Sequence, residues 1–152
     1  MKKFILILLL AGCGFRPMYT GTDTDIYVAS IAGINGIELR NALNAQFGGV
    51  HDENSKYHMV VNLREPVVKY KAFEKTGDAT WQEIVMNADY TIKSGENVVY
   101  KGRATASESY TYVSYLVASN ASYNNAVQNT IYVLAQKIGA KAIATTQQFE
   151  EK

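Results

Sequence analysis

The sequence predicts an α+β fold: a two-layer sandwich in which a mostly antiparallel sheet of about four strands carries two helices on one face, in the order β-α-β-β-β-α. Three observations predict it. The middle of the chain alternates with period two, most plainly over residues 84–93. There Ile84, Met86, Ala88, Tyr90 and Ile92 are apolar, while Asn87, Asp89, Thr91 and Lys93 are polar. Such alternation belongs to a sheet with one covered face and one wet face. On either side of this region the spacing turns helical, through Leu39, Leu43 and Phe47 and then through Val127, Ile131, Leu134, Ile138 and Ala142. Finally, 152 residues suit one domain and suffice for a core without disulfide staples.

The first element is not part of that domain. Lys2 and Lys3 precede an apolar run from Phe4 to Leu10, and Leu10-Ala11-Gly12-Cys13 closes it with small residues. A charged start, a short apolar stretch and a small-residue end describe an export signal, since a membrane span needs about 20 apolar residues. The ending resembles a bacterial lipobox. That resemblance implies cleavage before Cys13, lipid on its sulfur and an acylated amino group. An ordinary secretory signal or a short apolar anchor is the plainer alternative. Cys13 is the chain's single cysteine, so no thiol remains for a disulfide. Acyl chains contribute about 0.8 kcal/mol per buried methylene, enough for several chains to hold a small domain on a bilayer. In the lipoproteins this resembles, an aspartate after the cysteine favours the inner membrane. Gly14 stands there instead, which points to the periplasmic face of the outer membrane. The division is therefore a signal peptide over 1–12, a lipidated tether over 13–24 and one domain over 25–152.

Residues 26–31 form a short candidate strand. Asn35 and Glu38 have the spacing of a capping box before the first helix, and Gly48-Gly49 supplies its stop. In residues 57–64, Tyr57, Met59, Val61 and Leu63 share one face, with His58, Asn62 and Arg64 on the other. After Pro66 the apolar positions become even, Val68 and Tyr70. Keeping one apolar face therefore needs one extra residue near Arg64–Pro66, and proline, lacking an N–H, favours such a break. Residues 98–107 alternate again, Val98, Tyr100, Ala104 and Ala106 against Lys101, Arg103, Thr105 and Ser107.

A three-residue turn at Ser94-Gly95-Glu96 would pair Lys93 with Asn97 and Ile92 with Val98. Tyr90 would then meet Tyr100, Met86 would meet Ala104, and Asp89 would meet Lys101. Residues 110–116 read as a tyrosine-rich connector. The last helix is expected to begin near Ser119 or Asn120, with Gly139 weakening its centre by roughly 1 kcal/mol relative to alanine. Its polar tail, 145–152, is expected to fray.

Composition excludes some partners. The chain has 15 basic and 14 acidic residues; without Lys2 and Lys3 the mature side chains carry a net charge of −1. That is no footprint for nucleic acid, which calls for a basic face. Eleven tyrosines give an amphipathic aromatic load suited to strands and to interfaces alike.

The order of export signal, lipobox, tether, strand, helix, long antiparallel strands and long last helix resembles the LptE-type LPS-assembly lipoproteins. Cys13-Gly14-Phe15-Arg16-Pro17-Met18-Tyr19 is similar to the Cys-Gly-Phe-Arg-Pro-Leu-Tyr start of many members, and Tyr110-Thr111-Tyr112 is a second match. The resemblance implies an α/β sandwich seated as a plug inside the outer-membrane β-barrel translocon LptD. There it would help assemble the barrel and bind lipopolysaccharide, with no cofactor beyond the covalent lipid on Cys13. The family's basic lipopolysaccharide contacts have no short motif here, so none is carried over by position.

The residues themselves offer candidates. His51 and His58 lack metal-ligand spacing, and no nucleophile elbow, phosphate loop or paired carboxylates appear; catalysis is not expected. Lys93, Lys101 and Arg103 share one wet face, with Lys69 and Lys71 on the preceding strand, and phosphorylated sugars would need such donors. A solvated face is the bland alternative. Asp89 opposite Lys101 would draw that lysine into a cross-strand pair, leaving Arg103 and Lys93 as the better lipid contacts. Tyr90 and Tyr100 are expected in the core. Tyr110, Tyr112 and Tyr115 suit either core or partner contacts. The functional alternatives are an auxiliary lipoprotein of an ABC-type envelope lipid transporter and a small cell-envelope enzyme.

Cys13→Ala should abolish incorporation of labelled palmitate and leave the signal uncleaved. Label persisting on the alanine variant would place the lipid elsewhere.

Overall fold

The computed structural model describes residues 24–73, 79–113 and 115–150; the signal peptide, Cys13 and the tether before Thr24 lie outside the described residues. Along it run β1 (Ile26–Val28), α1 (Ile34–Gln46), β2 (Tyr57–Leu63), β3 (Val67–Phe73), β4 (Ala79–Ser94), β5 (Asn97–Thr111) and α2 (Leu116–Glu150). The α+β class holds. Both helices cover one face of an open sheet, antiparallel except where β1 pairs with β2. The strands number five rather than about four, because Pro66 divides a single apolar stretch into β2 and β3.

Strand β4 organises the sheet. One edge pairs with β5 along nearly its whole length; the other pairs first with β3 and then with β2. Leu63 faces Ala88 and Val67 faces Val85, so Arg64, Glu65 and Pro66 span a gap where β4 supplies only Met86 and Asn87. The expected extra residue is there. It turns the inward set from odd to even, so Met59 and Val61 are buried before it and Val68 half-buried after it. The Arg64 N–H still donates to the Asn87 carbonyl at 2.9 Å, which holds the break against β4.

The hairpin register differs from the expected one. Ser94 pairs with Asn97 and Lys93 with Val98 around a two-residue turn, Gly95-Glu96, where Gly95 takes φ +58°. The ladder then slips by one, so Ile92 faces Tyr100, Tyr90 faces Gly102, Asp89 faces Arg103 and Met86 faces Ala106. The shorter turn shifts the register by one residue and the bulge by another. A shift of two leaves every side chain on its own face, which is why alternation alone could not detect it. The bulge also exposes Val98 and lets Val99 pack against the core in its place.

Behind the sheet, Tyr90 is buried and its ring lies 5.7 Å from that of half-buried Tyr100. Tyr100 occupies the space that a side chain at Gly102 would take, since a Cβ there would fall 2.5 Å from its ring. Burial, with Tyr100 beside it, pushes the Tyr90 hydroxyl up to about 12.

Helix α1 begins two residues earlier than the capping box implies. Gly33, at φ +83°, is its N-cap, and no side chain caps it; Asn35 lies inside the first turn. Gly48 (φ +90°) ends it as expected, and the Gly49 N–H returns to the Asn44 carbonyl at 2.9 Å. Strand β5 extends through Tyr110 and Thr111, and helix α2 starts at Leu116, ahead of Ser119. Ser119 is buried, and its hydroxyl bonds the backbone of Val113, tying the helix to the strand end.

The stripe from Val127 to Ala142 is buried throughout. The fray expected from residue 145 does not occur through Glu150. Thr146 is buried, Phe149 sits edge-on to Tyr57 at 6.5 Å, and Lys56 Nζ donates to Glu150 at 2.6 Å. Gly139 is likewise a packing residue rather than a weak point, since a Cβ would lie 3.1 Å from the Gln46 side chain of α1.

Glycine has a stricter role at Gly36, where a Cβ would stand 2.8 Å from the Ile31 carbonyl oxygen. Backbone cannot rotate away as a side chain can. Gly36→Ala should therefore destabilise the domain by about 1–3 kcal/mol, against the roughly 1 kcal/mol that alanine favours in a helix. Gly139→Ala, facing a side chain, should cost less. Urea unfolding midpoints of the two variants check the order.

Candidate anion-binding face of the sheet

The pleat sends one set of side chains into the helices and the other outward. On the outward face β5 presents Lys101, Arg103 and Thr105, β4 presents Asp89, Thr91 and Lys93, and β2 presents His58, Val60 and Asn62. Neither helix covers this side; both pack on the other face, where most of the sheet's buried apolar side chains lie. Arg64, Lys69, Lys71, Lys93, Lys101 and Arg103 share it with only two strand carboxylates, Glu83 and Asp89. Among the described residues this face thus has a net of +4, or +2 with Glu65 and Glu96 in the turns at its rim included, in a chain whose total is +1.

The register decides which cations are available. Arg103 Nε donates to Asp89 Oδ1 at 2.5 Å, and Arg64 Nη2 donates to Asp89 Oδ2 at 2.8 Å. Asp89 was expected to engage Lys101; it engages Arg103 instead, because of the two-residue shift. Lys101 faces Thr91, and neither Lys93 nor Lys101 forms an ion pair among the described residues. The ranking of the three sequence candidates is therefore reversed for Lys101 and Arg103. Lys71 is also taken, by Glu83 at 2.8 Å, which holds that carboxyl below its usual range. Arg64 was missed as a site residue, although its place on the polar side of the alternation with His58 and Asn62 could have revealed it.

A shallow depression of about 390 Å³ lies beside Lys101, lined also by Val60, Asn62, Asp89, Tyr90, Thr91 and Gly102. An ammonium, a hydroxyl and an amide next to two arginines can bind a multivalent anion. Asp89 is neutralised twice over, so it does not repel one. His58 is half-buried and edge-on to Tyr27 at 5.4 Å. Among the described residues no three of His, Cys, Asp and Glu gather to hold a metal, and no described helix is long and apolar enough to cross a membrane. The tyrosines divide: Tyr110 is half-buried against Tyr123 and donates to Gln82 Oε1 at 2.5 Å, while Tyr112 and Tyr115 are exposed. Cys13 lies outside the described residues.

No protein-family model matches the chain, and no curated protein matches it in sequence. Solved structures do share the fold. A candidate lipoprotein from Caulobacter crescentus is 18% identical at a TM-score of 0.66, covering 86% of this chain and 95% of its own. The rare lipoprotein B from Shewanella oneidensis is 12% identical at 0.60, covering 84% and 98%. A minor lipoprotein from Acinetobacter baumannii is 17% identical at 0.56, covering 78% and 90%. At these identities the likeness is one of fold.

Hydrogen bonds from Arg103, then Arg64, hold the Asp89 carboxyl below its ordinary value of 3.8. A depressed folded pKa contributes stability that is present above the unfolded value and lost as pH falls through the folded one. Asp89→Asn should therefore lower Tm at neutral pH and flatten its fall below about pH 4. An acid limb identical to that of the parent would refute the pairing.

Proposed function

We propose that this is a lipid-anchored lipoprotein of the outer membrane, facing the periplasm, that binds lipopolysaccharide on its open sheet face. In the same reading it plugs and helps assemble the β-barrel translocon, LptD, that delivers lipopolysaccharide to the outer leaflet. The observation that carries the proposal is the concentration of positive charge, a net of +4, on the one sheet face that no helix covers. Phosphorylated sugars are the envelope ligands such a face would attract. Lipoproteins among the solved structures of the same fold support the anchoring, as does the lipobox-like Leu10-Ala11-Gly12-Cys13. The role is binding and positioning, without chemistry and without a cofactor other than the lipid on Cys13.

The register redirects the test. Arg103→Glu would set two carboxylates against each other and confound stability with binding. Lys93 and Lys101 have no such partner among the described residues, so their reversal should change stability within about 0.5 kcal/mol. Lys93→Glu with Lys101→Glu should weaken lipopolysaccharide binding by about tenfold or more at low salt, with the gap narrowing as salt rises. Circular dichroism checks the fold. Unchanged binding at low salt would remove lipopolysaccharide from this face. Separately, affinity purification from detergent-solubilised outer membrane should bring down LptD; an ABC-type lipid transporter in its place would favour the auxiliary-lipoprotein alternative.

A further inference from the structure

Charge is absent from one long stretch of a chain that is 19% charged: residues 109–136 contain no Asp, Glu, Lys, Arg or His. The stretch covers the end of β5, the turn after it and the first 21 residues of α2. It is not hidden. Tyr115, Leu116 and Val117 are 81%, 74% and 84% exposed, and Tyr112 and Val113 flank them. Trp81 pairs with Thr111 at this same end and is 55% exposed. Along α2 the exposed positions continue as Asn120, Asn124, Asn125, Gln128, Asn129 and Tyr132. The surface is apolar and aromatic at the tip and amide-bearing along the helix.

Such a surface suits neither water nor lipid. Surfaces that face only solvent are normally dense in mixed charge. A bilayer interface would reward lysine and arginine near anionic headgroups, and none is present. Hydrocarbon would leave the five amides without partners. The cores of protein–protein interfaces, by contrast, are depleted in charge and enriched in aromatic residues.

Position narrows the occupant further. Thr24, where the described chain begins, bonds the Phe47 carbonyl at the end of the sheet that holds Tyr57 and Ser94. The exposed tip is at the other end of the 16-residue β4, about 50 Å away at strand spacing. A segment from Cys13 to Thr24 can span at most about 40 Å. That reach falls short of the tip; the β3–β4 connection at this end, residues 74–78, lies outside the described residues.

We propose that the distal tip and the N-terminal half of α2 form a docking surface for a second protein. The partner's wall would be uncharged and hydrogen-bonding, with an apolar recess that receives Tyr115, Leu116 and Val117. The reading of the molecule as an outer-membrane lipoprotein tells only where to look for that partner.

The test places a photoreactive amino acid at Val117, Asn124 or Tyr132 of the full-length chain in cells, with Lys101 as a control position. Tagged adducts are identified by mass spectrometry. The expected result is one outer-membrane protein marked from all three positions and not from Lys101, in an association that withstands 1 M salt. Val117→Glu with Tyr132→Lys, and independently Asn124→Arg, should cut its capture at least tenfold while helicity and lipopolysaccharide binding persist. Adducts between two copies of this chain, or none at all, would overturn the proposal. So would a shift in the emission of Trp81 on adding phosphatidylethanolamine–phosphatidylglycerol vesicles to the mature protein. If the three positions agree on a partner that is not LptD, this surface stands and the translocon reading fails. If lipopolysaccharide binding is absent while the adducts persist, only the ligand reading fails.

Discussion

Everything in this domain leans on the backbone ladder of β4. A 16-residue strand exposes two long rows of amide and carbonyl groups, each of which must find a partner when covered. β5 satisfies one row. The other needs more length than β2 provides, so it is shared between β2 and β3, with Arg64, Glu65 and Pro66 absorbing the change of register between them. Without that extra residue the inward positions of β3 would point outward and Val68 would leave the covered face. The break also brings Arg64 beside Asp89, so a backbone requirement determines an electrostatic contact on the open side.

The two faces of β4 are linked through the same register. Opposite Tyr90 stands Gly102, and the missing side chain allows Tyr100 to lie back against Tyr90 behind the sheet. One residue along, the same pairing aligns Asp89 with Arg103 in front. Arg103 and Arg64 are thereby committed to a carboxylate and Lys71 to Glu83, and the cations left without an ion pair among the described residues of this face are Lys69, Lys93 and Lys101. Exposed ion pairs of this kind contribute little to stability. Their larger effect is to set which charges the face offers.

Helix α2 connects the two ends of the molecule. Its last turns are fastened beside the point where the chain enters the domain: Lys56 bonds both Asp25, through its backbone N–H, and Glu150, through its ammonium. Tyr57, its hydroxyl pushed up by burial, reaches Glu150 as well. The first turns stand at the opposite end, held by Ser119 but otherwise exposed. Charge follows this polarity, with ion pairs at the entry end, cations on the open sheet face and none over residues 109–136.

Much of this was legible beforehand. Most of the apolar set of each long element (not Val98, nor Tyr70), the helix stripe, the α+β class, the break near Pro66 and the basic outward face follow from periodicities in the sequence, because side-chain direction repeats every two residues in a strand and every 3.6 in a helix. Those periodicities hold whatever the partner strand does. For the same reason they could not choose between hairpin registers two residues apart, and so could not tell whether Asp89 faces Lys101 or Arg103. That choice came from a turn in which Gly95 takes a positive φ and from a bulge after Ile92, both adjustments of the assembled sheet. Nor could local propensity see that Gly36 and Gly139 are needed where backbone and helix approach, or that Glu150 is held in place by Lys56 and Tyr57 from 94 and 93 residues away. Sequence alone determined which side of each element faces the core. Tertiary structure decided which residues meet across it, because a meeting depends on the positions of two segments and a pattern reports only one.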